Sequence, residues 1–151
     1  MKRGFTLIEL LISMLILAAL ATFTIPTYQL ILTQLQLNSA AEQVADTIRL
    51  SSQKTVTEQM VYGVRLNAGA TTIPQVRIEN DGSATVTGTY NLPANTIIDT
   101  VDFSGATEIH FSTAGAPNYS GTLTIRDTVR NRRRTIEVRP SGNIRTSATE
   151  F

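Results

Sequence analysis

The chain has 151 residues, enough for one compact domain with an attached helix and too few for two full domains. Hydrophobic residues make up 42% and charged residues 17%, and the net charge of +1 is too near neutral to point to any partner. No cysteine is present, which excludes disulfides and thiolate metal sites. The single histidine, His110, excludes histidine-based triads and multi-histidine metal sites other than mixed ones with carboxylates.

The low charge is local, because 32 consecutive residues between Glu9 and Glu42 carry none. Residues 1–4 read Met-Lys-Arg-Gly, and residues 5–25 are an apolar run worth about 32 Å of helix, matching a bilayer core of about 30 Å. Lys2 and Arg3 precede the run and no Lys or Arg follows until Arg49. That asymmetry predicts a single-pass span with a cytoplasmic N-terminus and the rest of the chain outside. The competing reading is an ordinary secretory signal peptide, since Ala19-Leu20-Ala21 has the A-x-A form of its cleavage site. Glu9 argues against it, because a carboxylate at membrane depth costs about 3 kcal/mol unless paired. The helical pattern also runs past Ala21 with no loop to present a scissile bond.

Lys2-Arg3-Gly4 followed by Phe5-Thr6-Leu7-Ile8-Glu9-Leu10 resembles the prepilin cleavage and methylation signature of type IV pilins and type II secretion pseudopilins. The resemblance covers residues 2 to about 26, with the leader, Gly4, Phe5, Glu9 and Pro26 where that family has them. It implies cutting between Gly4 and Phe5 by a prepilin peptidase/methyltransferase and N-methylation of Phe5. It also implies passage from inner-membrane lipid into an extracytoplasmic filament with other pilin or pseudopilin subunits. The chemistry agrees: cleavage would remove Lys2 and Arg3 and create an amine on Phe5, one helical turn from Glu9. Amine and carboxylate could then pair within a chain or between neighbours, which makes Glu9 a registry charge for assembly rather than a source of bulk stability.

Pro26, inside the helical pattern and preceded by the β-branched Thr22-Phe23-Thr24-Ile25 run, is expected to kink or loosen the helix. Beyond it, Leu37, Ala41, Val44 and Ile48 form one apolar stripe with Glu42, Gln43, Asp46 and Arg49 on the other faces, and the helix is expected to end between Leu50 and Thr57. After Met60 the period falls to two. Strands are predicted at 61–66, 75–79, 84–90, 96–103, 107–112, 122–128, 135–139 and 143–146, with turns at Asn80-Asp81-Gly82 and Ser141-Gly142 and loops at 67–72 and 114–118. The organisation read from this is a leader at 1–4, a transmembrane or filament-core half-helix at 5–28, an amphipathic half-helix at 29–56 and a β-rich head at 57–151. The fold class is α+β: a type IV pilin fold in which a long N-terminal helix packs on an antiparallel sheet.

Within the head, Ile109-His110-Phe111-Ser112-Thr113-Ala114-Gly115-Ala116-Pro117, then Gly121-Thr122-Leu123, Arg134-Thr135-Ile136-Glu137-Val138 and Ser141-Gly142-Asn143-Ile144-Arg145, resembles the heads of pseudopilin H and of FimT-like minor pilins. In the FimT-like branch a C-terminal Gly-Arg-x-Arg motif is associated with DNA binding during uptake. Here the positions read Gly142-Asn143-Ile144-Arg145, without the first arginine. Residues 126–151 nevertheless hold seven arginines and three acids, a local net of +4. Arg130, Arg132, Arg133 and Arg134 cluster at an expected hairpin tip, with Arg139 and Arg145 beyond. They form a candidate patch for DNA or another anion through backbone phosphates. The alternative is a solvated turn, or an ion-pair surface for a neighbouring subunit, since no aromatic residue interleaves the arginines to stack bases.

No catalytic constellation assembles. His110 alternates with Ile109 and Phe111 on a strand, and Asp99, Asp102 and Glu108 are spaced as solvent-facing strand residues. Asn80-Asp81-Gly82 lacks a full acidic loop for calcium. The reading is a structural subunit with no cofactor and no metal: a minor pilin of a type IV pilus with a role at its tip, in assembly initiation or in DNA uptake. A type II secretion pseudopilin is the alternative and a major pilin a weaker one.

Overall fold

A computed structural model describes residues 5–79 and 81–148. Helix α1 (Leu7–Glu58) is followed by β1 (Val61–Arg65), β2 (Thr72–Ile78), β3 (Ala84–Asn91), β4 (Thr96–Asp102), β5 (Glu108–His110), β6 (Gly121–Asp127), β7 (Arg133–Val138) and β8 (Ile144–Ala148). The chain divides into two compact units, Met1–Leu35 and Gln36–Phe151.

The first unit is helix from Leu7 onward. Thr6 caps it: Glu9 N donates to Thr6 Oγ1 at 3.3 Å, and Leu10 N to Thr6 O at 3.2 Å. Thr6-Leu7-Ile8-Glu9 has the spacing of a capping box, so the acidic residue stands in the first turn, where the helix dipole favours it. The helix passes through Pro26 without a break; the side chains of 23–27, and with them the expected kink, lie outside the described residues.

The second unit wraps two four-stranded antiparallel sheets, in the orders β3-β2-β1-β5 and β4-β6-β7-β8, around the helix from Gln36 on. Two sheets stand where one was expected. Leu37, Ala40, Ala41, Val44, Ala45 and Ile48 form the buried helix stripe, packed with Val64, Ile73, Ile98, Phe103, Ile109, Phe111, Leu123, Ile125 and Ile136 from both sheets. The stripe continues in polar form as Ser51 and Thr55, which donate to the carbonyls of Thr47 and Ser51. Buried Gln75 donates to Ser51 Oγ at 2.8 Å, and Lys54 donates to Gln75 Oε1 at 3.0 Å, pinning helix to sheet. The helix ends where Gln59 turns left-handed (φ 53°), after which Tyr62 N donates to Thr55 Oγ1 and starts β1 against the helix.

All eight strands fall where the period-two pattern places them, with shifted ends. β2 begins at Thr72, ahead of Pro74, which the strand tolerates because the β1 ladder reaches only Gln75. β7 begins at Arg133, since Arg133 and Arg134 both pair with β6. Asp81-Gly82 turns β2 into β3, and Ser141-Gly142 turns β7 into β8. Gly63 is required by contact: a Cβ there would lie 2.4 Å from Ile109 O and 2.5 Å from the His110 ring.

Candidate functional site

Two regions carry the predicted site residues. The first is the N-terminal helix. Gly4 lies outside the described residues, while Phe5 and Glu9 are exposed. Leu7, Ile8, Leu10, Leu11, Ile12, Met14, Leu15, Ile16, Leu17 and Leu20 are each 49–78% exposed, and they lie on every side of the helix. An α-helix this apolar all round exposes far more hydrophobic surface than a water-facing helix carries. Its few hydroxyls are turned inward: Ser13 Oγ donates to Glu9 O at 2.7 Å and Thr22 Oγ1 to Ala18 O at 2.9 Å. Glu9 is therefore the one ionisable side chain on an otherwise apolar surface from 5 to 22. Among the described residues, no helix is long and apolar enough to cross a membrane.

The second region is the outer face of the sheet β4-β6-β7-β8. There the structure divides the arginines that the sequence groups together. Arg126 and Arg133, directly paired across β6 and β7, both donate to Asp99, Nε to Oδ1 and Nε to Oδ2, each at 2.8 Å. Asp99 reaches them from the bulge in β4 between Ile98 and Thr100. Arg139 engages Glu137 at 3.1 and 3.3 Å, and Arg145 stands opposite Glu137 in the β7–β8 ladder. Arg134 is on the other face of β7, in register with Ile125, and lines a small pocket with Asn38, Ala41, Glu42 and Thr146. Arg130 and Arg132 are exposed at the tip, beside Val129. A continuous basic track is thus replaced by four separate arrangements, two of them facing a carboxylate.

Sequence reasoning missed Asp99 as the acid beneath the arginines, and Asp127, whose buried carboxylate accepts the amides of Val129 and Arg130 at 3.0 and 3.1 Å. An acid two or three residues before the tip of a hairpin is the signal that could have shown the second. A further ionic cluster lies on β1 and β5, where Glu108 accepts from Arg65 and contacts His110 Nε2 at 3.1 Å. Burial pushes the Glu108 carboxyl up, but the hydrogen bonds from Arg65 and His110 outweigh it and hold the group below its ordinary value.

An apolar helix with a capped, acid-bearing first turn, continuing in sequence into a helix wrapped by two antiparallel sheets, defines a type IV pilin-like fold. Residues 1–25 match the prokaryotic N-terminal methylation motif. In fold the chain is similar to the minor pseudopilin EpsH from the Type 2 Secretion System of Vibrio cholerae, with a TM-score of 0.62 and 14% identity over 75% of this chain and 97% of that one. It is also similar to the type IV minor pilin FimU of Pseudomonas aeruginosa, with a TM-score of 0.60 and 14% identity over 76% of this chain and 90% of that one. No curated protein matches the sequence. The motif marks residues 1–25, and the likeness to these two solved structures shows a type IV pilin-like fold.

Proposed function

We propose that the chain is a minor pilin-like structural subunit, made as a prepilin and assembled into a filament rather than acting as an enzyme. In this reading a prepilin peptidase cuts between Gly4 and Phe5, Phe5 is N-methylated, and the helix from Phe5 anchors the chain in the inner membrane until assembly, with the head outside. The observation that carries it is the apolar helix surface of 7–22, uncovered on all sides and bearing a lone carboxylate one turn from the expected new amine. Such a surface needs lipid before assembly and other helices after it. In either setting Glu9 is stabilised by pairing with a Phe5 amine, its own or a neighbour's. A secretion pseudopilin is the second reading, favoured by the fold's likeness to EpsH being as close as that to FimU.

The test is Glu9→Ala, followed by membrane fractionation and by recovery of the subunit in sheared filaments. Membrane retention should be unchanged and the filament-bound fraction should fall about tenfold or more, the size expected from losing a charge pair at low dielectric. Wild-type incorporation of the variant would overturn the registry role.

A further inference from the structure

Each sheet has two edge strands, and among the described residues three of the four are covered or charged. On β5, His110 O accepts from Asn118 N at 2.9 Å, and Phe111 bridges Pro117. On β4, Ile98 O accepts from Gly69 N at 2.7 Å and Ile98 N donates to Ala70 O at 3.0 Å. β8 carries Arg145 and lends Ile144 O to Arg49 Nη2 at 3.2 Å. β3 differs. It is the longest strand, eight residues from Ala84 to Asn91 with no charge and no proline, and all but Gly88 and Tyr90 are exposed. A bare, uncharged edge of this length is a template for another strand, and folded proteins ordinarily blunt it.

A bulge makes this edge complementary to itself. Gln75 pairs with Gly88 and Val76 with Val86, so Thr87 is an extra residue and the alternation slips by one there. Gly88 and Tyr90 share the face of buried Gln75 and Ile73, toward the helix, and Thr85 returns to that face opposite Arg77. Val86 and Thr89 share the outer face. In an unbulged strand of this length, end-to-end pairing with its own copy sets each residue opposite one of the other face. Here the slip brings like faces together: Ala84 opposite Asn91, Val86 opposite Thr89 and Thr85 opposite Tyr90. With no charge in the strand, no like charges meet across the pair.

We propose that β3 pairs antiparallel with the β3 of a second copy of this chain, about a two-fold axis between Thr87 and Gly88. On the helix side, Tyr90 lines a groove of about 650 Å³ with Gln43, Thr47, Leu50 and Gln53, which gives the inward side chains of the added strand room. Eight residues a side make a contact about 27 Å long and one strand wide. That lies at the small end of protein interfaces, below about 1,200 Å², so the pair is weak and reversible. The axis stands perpendicular to the sheet and reverses directions in its plane, so the two helices packed there from Gln36 on run opposite ways. Subunits of an open filament all point one way. The pair is therefore a form held outside the filament, a consequence that rests on the filament reading above.

The experiment is disulfide trapping of the full chain in detergent. The sequence has no cysteine, so Val86→Cys and Thr89→Cys chains each carry one thiol. Mixed and mildly oxidised, they should form a linked pair between positions 86 and 89. The Val86→Cys chain alone should link about tenfold less, because its own mate lies three residues along, about 10 Å away and beyond the reach of a disulfide. Thr122→Cys on β6 should stay single. No link in the mixture, or an equal link with Val86→Cys alone, overturns the inference. So does a link in membranes from either position to another protein in place of a second copy. Recovery in sheared filaments separates the two readings. The oxidised pair should be absent from filaments and the reduced chains present. An oxidised pair within filaments overturns the claim that pairing holds the chain outside them, whereas reduced chains missing from filaments, with the link between 86 and 89 intact, overturn the filament reading alone.

Discussion

The two units use hydrophobic residues in opposite ways. In Gln36–Phe151 most of the described large apolar side chains are buried or half-buried, with Ile48, Val64, Ile98, Phe103, Leu123, Ile125 and Ile136 at 0% exposure, so this unit has a core of its own. In Met1–Leu35 the leucines and isoleucines from 7 to 20 and from 30 to 35 are exposed. In the proposed reading, their burial free energy becomes available in lipid or among other subunits. Charge follows the same division. In the second unit acids meet bases at short range, as at Asp99 and Glu137, whereas residues 5–35 contain no Lys or Arg beside Glu9. One unit is built to be complete, the other to be completed.

Substitutions that act on one unit should leave the other's readout alone. The largest effect is expected from Phe103→Ala, which empties a fully buried position between the sheets. A loss of about 3–5 kcal/mol is expected, seen as a fall in Tm of more than about 10 °C, with removal of the leader and membrane retention unchanged. If processing failed as well, the independence of the two units would be lost.

Asp127→Ala should act on the hairpin alone. Two amides lose a buried acceptor, at a cost of about 1–2 kcal/mol. Hydrogen exchange at Val129 and Arg130 should accelerate while the β1–β2 ladder keeps its protection.

The smallest effect is a pH dependence at Glu108. Its folded pKa lies below the ordinary 4.5, so the unfolded chain binds the proton more readily. The stability that it contributes is present above pH 4.5 and is lost as pH falls through the lower folded value. Chemical denaturation between neutral pH and pH 3 should therefore show a shallower acid loss in Glu108→Gln, by under about 1 kcal/mol for a partly exposed group. A steeper loss in the variant would reverse the sign.

How much of this the sequence displays depends on whether a feature repeats. The stripe Leu37, Ala41, Val44, Ile48 and the alternating strands are periodic, and each falls where its period puts it. Pro74 concealed the first residues of β2, because a proline reads as a strand breaker until the partner ladder is known to stop at Gln75. Arg133 and Arg134 read as part of a loop because their charge outweighs the alternation, although one faces Asp99 and the other the pocket beside Glu42. The split into two sheets was not legible, since strand order depends on which edges meet, and no local pattern records that. The ion pairs at Asp99 join residues 27 and 34 positions apart, beyond the reach of any spacing rule. The N-terminal signature is the contrary case. Its residues are contiguous, and the structure adds to it only the Thr6 cap over Glu9.

The central claim is that the first unit is exposed for assembly by a specific cut. Intact-mass and peptide mass spectrometry of the chain, expressed with a prepilin peptidase and recovered from membranes, tests it most directly. The account predicts a mature chain beginning at Phe5 with one methyl group on its amine, and with Glu9 and the whole apolar helix retained. A mature chain beginning after Ala21, or one that keeps Lys2 and Arg3, would contradict it.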